Sequence, residues 1–293
     1  MRVTQGMLAS NSLKNLSNSY KQMGKYQDQL ATGKKITRPS DDPVVAMKGM
    51  YYRSNLSEVE QYKRNLSESY LWMENSEAGI EQVNEGLQRV RELTVQGLNG
   101  ALSETDKIAI ATEVEQIKKD IMTVANTQVG GRYIFNGTNT SNPPVADGGT
   151  NAPQVTLNTM DYTVEVSRGI SLKANINPEN VFGQKTFDTL HEIQKFLDGT
   201  GSSDLNTLLE DLDKQLDTLS AERSELGARY NRLEMVESRI DQQEIIANRV
   251  LSDNEDADIE RVITELTVQE SIHRAALSVG SRIIQPSLMD FLN

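Results

Sequence analysis

The sequence predicts a mainly α protein, a long antiparallel helical bundle or coiled coil with a small β domain inserted in it and an amphipathic helix at each end. Three observations predict this. Apolar residues recur at alternating spacings of four and three along most of the chain, the repeat of helices that bury a single stripe. Residues 127–183 lose that repeat and gain Gly, Asn, Thr and Pro, and short runs among them read as strands. Aromatic residues make up 5 % and hydrophobic residues 37 % of the 293, which is lean for a compact enzyme and ordinary for long helices that each bury one face.

The elements follow in order. Ala9, Leu13, Leu16, Tyr20, Met23, Gln27 and Leu30 form a first stripe, closed by Thr32-Gly33 with Gly33 as the residue after the cap. The segment T-G-K-K-I-T-R-P-S-D-D-P at 32–43 reads as a loop or hairpin that ends in a helix start. There Asp42 can cap, and Pro43 suits the first helical position. Val59, Tyr62, Leu66, Met73, Ile80, Val83, Leu87 and Val90 share one register, with Ser69 and Ser76 at the skipped places. A helix over about 43–98 would measure roughly 80 Å at 1.5 Å per residue and needs other long helices to pack on. Gly97, Asn99 and Gly100 end it. Ser103-Glu104-Thr105-Asp106 resembles a capping box, and Ile110, Val114, Ile117, Ile121 and Val124 carry a returning antiparallel helix to about 126.

Strands are predicted at 132–135, 154–157, 162–166 and 170–174. Helix returns at 184–198 with Phe187, Leu190, Ile193 and Leu197, and breaks at Gly199-Thr200-Gly201-Ser202. Ser203 can cap the next helix, in which Leu209, Leu212, Leu216, Leu219, Leu226, Tyr230, Leu233, Ile240 and Leu251 share a register interrupted by Arg223, Glu237 and Glu244. Residues 252–258 read as a turn. Ile259, Val262, Leu266, Ala276 and Ile283, with Gln269 and His273 on the same register, form the last stripe, stopped by Pro286.

Composition narrows the function. Thirty basic against 42 acidic residues give a net charge of −12, which argues against a nucleic-acid binder. Charge is uneven: 9 basic and 5 acidic residues in 1–60 give +4, and 9 and 21 in 184–270 give −12. Absence of cysteine removes disulfides, thiolate zinc sites and a cysteine nucleophile. Two histidines, His191 and His273, cannot form a three-His zinc site, and no nucleophile, phosphate-loop or dinucleotide motif occurs. The acidic run at 253–258 lacks the central Gly of a calcium loop and reads as a capped turn between helices. No catalytic residue, cofactor or metal site is assigned. No stretch has the length and apolarity to span a membrane, and Met1-Arg2-Val3-Thr4-Gln5-Gly6 carries no apolar signal region. Trp72 stands beside the core stripe, as packing or as a subunit contact. Lys34, Lys35 and Arg38 read either as a solvated loop or as partners of an acidic neighbour.

The opening M-R-V-T-Q-G-M at 1–7, Q-L-A-T-G-K-K-I-T-R-P-S-D-D-P at 29–43, A-R-Y-N-R-L-E at 228–234, E-D-A-D-I at 255–259 and the closing I-I-Q-P-S-L-M-D-F-L at 283–292 resemble the flagellin superfamily. They look most like its members at the junction of hook and filament. The resemblance implies a structural protein, exported through the flagellar type III apparatus without cleavage and held unassembled by an export chaperone. Outside the cell it would form a homo-oligomeric ring in the flagellum between hook-associated protein 1 and flagellin, with no nucleic-acid or membrane partner. It also implies terminal helices that pair on assembly. The expected division is a terminal coiled-coil assembly domain (1–43 and 253–293), a long helical bundle domain (44–126 and 184–252) and an inserted β domain (127–183). The assembly residues expected are Leu13, Leu16, Tyr20, Met23 and Leu30 against Leu266, Ile272, Leu277 and Ile283. The loop motif carried over comprises Gly33, Lys34, Ile36, Arg38, Asp41, Asp42 and Pro43. Flagellin itself, or a cytoplasmic coiled-coil adapter, are the competing readings.

Overall fold

The computed structural model describes residues 5–98, 102–149, 151–201 and 204–284, with the side chains of Gln5, Leu8, Ala9 and 282–284 outside that set. Helices α1 (Gln5–Thr32), α2 (Pro43–Gly97) and α3 (Glu104–Ala125) precede three small strand pairs, β1 (Gln128–Val129) with β2 (Arg132–Tyr133), β3 (Val145–Ala146) with β4 (Gln154–Val155), and β5 (Thr163–Ser167) with β6 (Ile170–Lys173). Helices α4 (Pro178–Phe182), α5 (Gln184–Leu197), α6 (Leu205–Glu255) and α7 (Ile259–Ile284) follow. The chain divides into two compact units, one of residues 1–58 and 243–293, the other of 59–242. Helices α2 and α6 lend residues to both.

The second unit holds the core. Leu66, Met73, Ile80, Val83, Leu87 and Val90 of the α2 stripe are buried, and so are Ser69 and Ser76 at the skipped places. Small side chains there let the facing helices approach. Across from them lie Leu212, Leu219, Leu226, Leu233 and Ile240 of α6, Ile110, Val114 and Ile121 of α3, and Phe187, Leu190, Ile193 and Leu197 of α5. Each large side chain buried in this way contributes about 1.5–3 kcal/mol. Two of the polar breaks in the α6 register, Arg223 and Glu237, have partners on α2. The Nε of Arg223 lies 2.7 Å from Glu77, and the hydroxyl of Tyr70 donates to Glu237 at 2.7 Å. The capping box at Ser103 is present, with Asp106 in the reciprocal place.

The β region differs from the expectation in detail. Four runs were expected; among the described residues six short strands form, as three separate antiparallel pairs rather than one sheet. The run at 132–135 pairs only through Arg132 and Tyr133, because Ile134 and Phe135 turn into the core, each 1 % exposed. Strands β1 and β3 escape the pattern because two residues are too few to show an alternation. Side chains fix the pairs to the helices. Asn126, capping α3, bridges to β3 by accepting from the Val145 amide at 3.2 Å and donating to its carbonyl at 2.8 Å. Trp72 is buried and stacks on Tyr162 with ring centres 4.6 Å apart, and the Tyr162 hydroxyl donates to Glu68 at 2.9 Å. Residues 178–182 form helix α4, unforeseen in the sequence although its signals are there, Asn177 as cap and Pro178 at the first position. The buried carboxylate of Glu222 holds it, accepting from the Asn177 amide at 2.8 Å and the Asn180 side chain at 2.7 Å.

In the first unit, α1 ends as expected, Gly33 adopting φ +69° and donating to the Gln29 carbonyl at 2.8 Å. Asp42 caps α2 by accepting from the amides of Val44 and Val45 at 3.0 and 3.1 Å. The predicted turn at 252–258 is shorter: α6 continues through Glu255. Asp258 opens α7, its carbonyl and carboxylate accepting from the amides of Val262 and Arg261. The first three residues of the acidic run at 253–258 therefore extend the helix before them. Pro286 and the closing motif beyond Ile284 lie outside the described residues, as do Asn99, Gly100, Ser202 and Ser203.

Candidate assembly site

The loop after α1 and the joint between α6 and α7 close on one another in the first unit. The Lys35 amide donates to the Glu255 carbonyl at 2.6 Å, and the Ala257 amide to the Gly33 carbonyl at 2.8 Å. The Lys34 ammonium lies 3.2 Å from Glu255 and 3.0 Å from Asp256, while Lys35 donates to the Asp253 carbonyl. Lys34 thus meets acidic side chains of its own chain, whereas Lys35 meets a backbone carbonyl. Glu255 is buried and also receives Arg53 at 2.7 Å. Gly49 makes the space: a Cβ there would stand 2.4 Å from the Glu255 carboxylate. Burial raises the pKa of Glu255, but the hydrogen bonds of Arg53 and Lys34 outweigh it and hold the group below the usual carboxylate range.

The remaining loop positions serve the turn itself. Asp41 accepts from the amides of Arg38 and Thr37 at 3.0 and 3.3 Å, and the Arg38 amide is the main cause that keeps its carboxyl low. Ile36 is half-buried and the Arg38 side chain is exposed.

Helices α1 and α7 pack on each other along a seam that is partly polar. Gln269 donates to the hydroxyl of buried Ser19 at 2.9 Å. A hydrogen bond to Glu265 is the main reason that the Tyr26 hydroxyl titrates high, and Arg261 lies 2.9 Å from the same glutamate. Tyr20 and His273 bring their rings to 6.1 Å. Of the expected assembly residues, Leu16, Met23 and Leu266 are half-buried, Leu30 is exposed, and Leu13, Tyr20, Ile272 and Leu277 stand 57 %, 65 %, 50 % and 48 % exposed. The side chain of Ile283 lies outside the described residues. Sequence reasoning missed Ser19, Tyr26, Glu265 and the clasp at Glu255. Gln269 and His273, polar residues standing on an apolar register, were the signal that this seam is not a plain hydrophobic one.

The first unit thus presents apolar rows that its own chain does not cover. Val44, Met47, Met50 and Tyr51 of α2, Ile245 and Ile246 of α6, and Ile263, Val268 and Val279 of α7 are exposed as well. Contiguous exposed apolar surface marks a place where proteins associate. Among the described residues no three His, Asp or Glu side chains gather to hold a metal, and no helix is long and apolar enough to cross a membrane.

Comparisons with known proteins agree with this geometry. The bacterial flagellin N-terminal helical region matches residues 3–140, and the bacterial flagellin C-terminal helical region matches residues 209–292. Flagellar hook-associated protein 3 of Escherichia coli K12 is 25 % identical over 302 residues, covering 94 % of this chain and 95 % of that one. Flagellin of Bacillus subtilis 168 is 24 % identical over 291 residues, with 94 % of each covered. The crystal structure of Bacillus cereus FlgL superposes with a TM-score of 0.59 at 25 % identity, covering 69 % of this chain and 99 % of that one.

Proposed function

Because this chain belongs to the flagellin family, whose members compared above are structural proteins of the flagellum and not enzymes, we propose that it is the subunit of the ring joining hook-associated protein 1 to the flagellin filament. The observation that carries the proposal is the pairing of α1 with α7 while both helices keep apolar rows exposed. A helix pair that hides a polar-laced seam and shows apolar side chains outward is suited to association with further copies. Residues 1–43 and 253–293 would be the assembly domain, residues 44–126 and 184–252 the bundle, and 127–183 the inserted β domain. The terminal helices would complete their packing on assembly, after export without a cleaved signal and release from a cytoplasmic chaperone. The site of action would be the flagellum outside the cell.

The opening M-R-V-T-Q-G-M and the closing P-S-L-M-D-F-L favour the junction over the filament. The similarity to flagellin keeps the filament as a second reading, and gold labelling separates them: a narrow band at the hook end against label along the filament. The test of function is gene deletion, expected to leave hooks intact while flagellin is shed as monomer. Leu16→Asp combined with Leu266→Asp should abolish filament attachment while the second unit stays folded. Motile filaments built by that double variant would refute the assembly role.

A further inference from the structure

A head-to-tail contact joins two unlike surfaces, so each copy in a ring or helical array must carry both halves of it. Each unit of this chain offers one half. On the first, Val44, Met47 and Tyr51 recur at i, i+3 and i+7 on the face of α2 turned away from Gly49, exposed by 57 %, 64 % and 68 %, with Lys48 among them. On the second, a groove of about 630 Å3 lies between α2 and α6. Met73 and Leu226, 1 % and 2 % exposed, close its floor, and the small residues Ala78 and Gly227 keep it open. Its edge carries Glu74, Glu77 and Glu81 against a single Arg223. One surface is apolar with a positive charge; the other is an apolar trough with a negative edge.

We propose that the Val44–Met47–Tyr51 patch of one copy docks in the α2–α6 groove of a second copy, with Lys48 against the glutamate edge. The inference rests on the ring proposed above and names the contact that would build it. Methionine adapts its shape to a trough of this kind, and an exposed tyrosine is a common anchor at interfaces. A second copy suits the groove by charge as well as by shape, since Lys48 supplies the cation that the three glutamates and one arginine leave unmatched. Complementary charges of this kind fix register and choose partners more than they add affinity.

The cysteine-free chain makes the test direct. Met47→Cys and Gly227→Cys are introduced separately and together, and isolated flagella are treated with a short bis-maleimide. Gly227 has open space around it, so the substitution should fold. A ladder of linked chains is expected only when both cysteines are present. Lys48→Glu should cut its yield about fivefold, the equivalent of an edge charge pair of ~1 kcal/mol, and Glu81→Lys should restore it. A ladder from Met47→Cys alone, a link from Gly227→Cys to a different protein, or normally attached filaments with no ladder would each overturn the docking. Those results leave the junction reading standing; it fails on its own if filaments attach without this protein.

Discussion

The two compact units treat apolar residues in opposite ways. The second closes over Ile80, Val83, Phe182, Phe187 and Leu190, all at 0 % exposure. In the first, the buried apolar side chains among the described residues are Ala247 and Val262, still 8 % and 7 % exposed, and a longer series from Met7 to Val279 is exposed. Charge divides the same way. Residues 1–58 and 243–293 carry 13 basic and 13 acidic residues, so the net −12 falls entirely on 59–242, with 17 and 29. One unit is stabilised by what it buries within the chain. The other is neutral, nearly coreless and held by a clasp and a seam, so its stability depends on what binds it.

The largest test breaks the core. Phe187 is fully buried, and Phe187→Ala should lower the unfolding free energy of the second unit by about 3–5 kcal/mol, transfer and cavity costs together. Denaturant titration measures it. A loss below about 1 kcal/mol would mean that the second unit is no better packed than the first, and the contrast would fail.

The next test opens the clasp. Gly49→Val places a branched side chain where the Glu255 carboxylate lies. Losing the buried hydrogen-bonded charge pair should cost about 1–3 kcal/mol locally. Hydrogen exchange should then quicken at the amides of Lys35 and Ala257, which bond across the clasp, while α3 and α5 keep their protection. Acid should imitate the variant. Glu255 has a folded pKa below its unfolded value near 4.5, so its contribution is complete above that pH and is lost as pH falls through the depressed folded value. Protection factors at these two amides that stay constant all the way down to acid unfolding of the second unit would rule out the clasp as a charge-held contact.

The contrast also explains what the sequence made legible. The α2 and α6 stripes were readable because burial repeats over many turns, so Leu66 to Val90 and Leu212 to Ile240 announce a core. The caps at Asp42 and Ser103 were readable because capping is local chemistry. Glu255 was not, since its partners Lys34 and Arg53 lie more than 200 positions away and no spacing connects them. On the terminal helices a single stripe was read where two faces exist. The apolar register of Leu13 and Tyr20 turns outward, while Ser19 and Gln269 take the seam. Polar residues that pair across a seam look, in sequence, like interruptions.

A smaller effect should appear as a pH slope in the second unit. Neither ring nitrogen of His191 has a hydrogen-bond partner, and the side chain is buried. Lys118 of α3 faces it, as do Asp188, Glu192 and Lys195 on its own helix, and Lys118 is itself buried, donating to Gln194 at 2.7 Å. Burial first, then the charge of Lys118, lowers the His191 pKa. The unfolded chain therefore takes up the proton before the folded one does. Stability should rise with pH through the window from the depressed value to about 6.5 and stay level above it. His191→Phe should flatten that slope. An unchanged slope would place the acid sensitivity of the unit elsewhere.

The smallest expected change lies in the first unit of the dilute chain. Tyr20 and Leu13 are more than half exposed, so Tyr20→Ala or Leu13→Ala removes little buried area and should alter monomer unfolding by no more than about 0.5 kcal/mol. The Tyr20 ring contact with His273 is tilted and distant, and its loss falls within that bound. Assembly should respond differently, because a side chain covered by a neighbouring copy has about 1.5–3 kcal/mol at stake, repeated at every subunit. Filament attachment in cells should therefore fall for variants whose purified monomers melt as the wild type does. Equal effects on both readouts would mean that these side chains pack within their own chain, and the two units would not differ in kind.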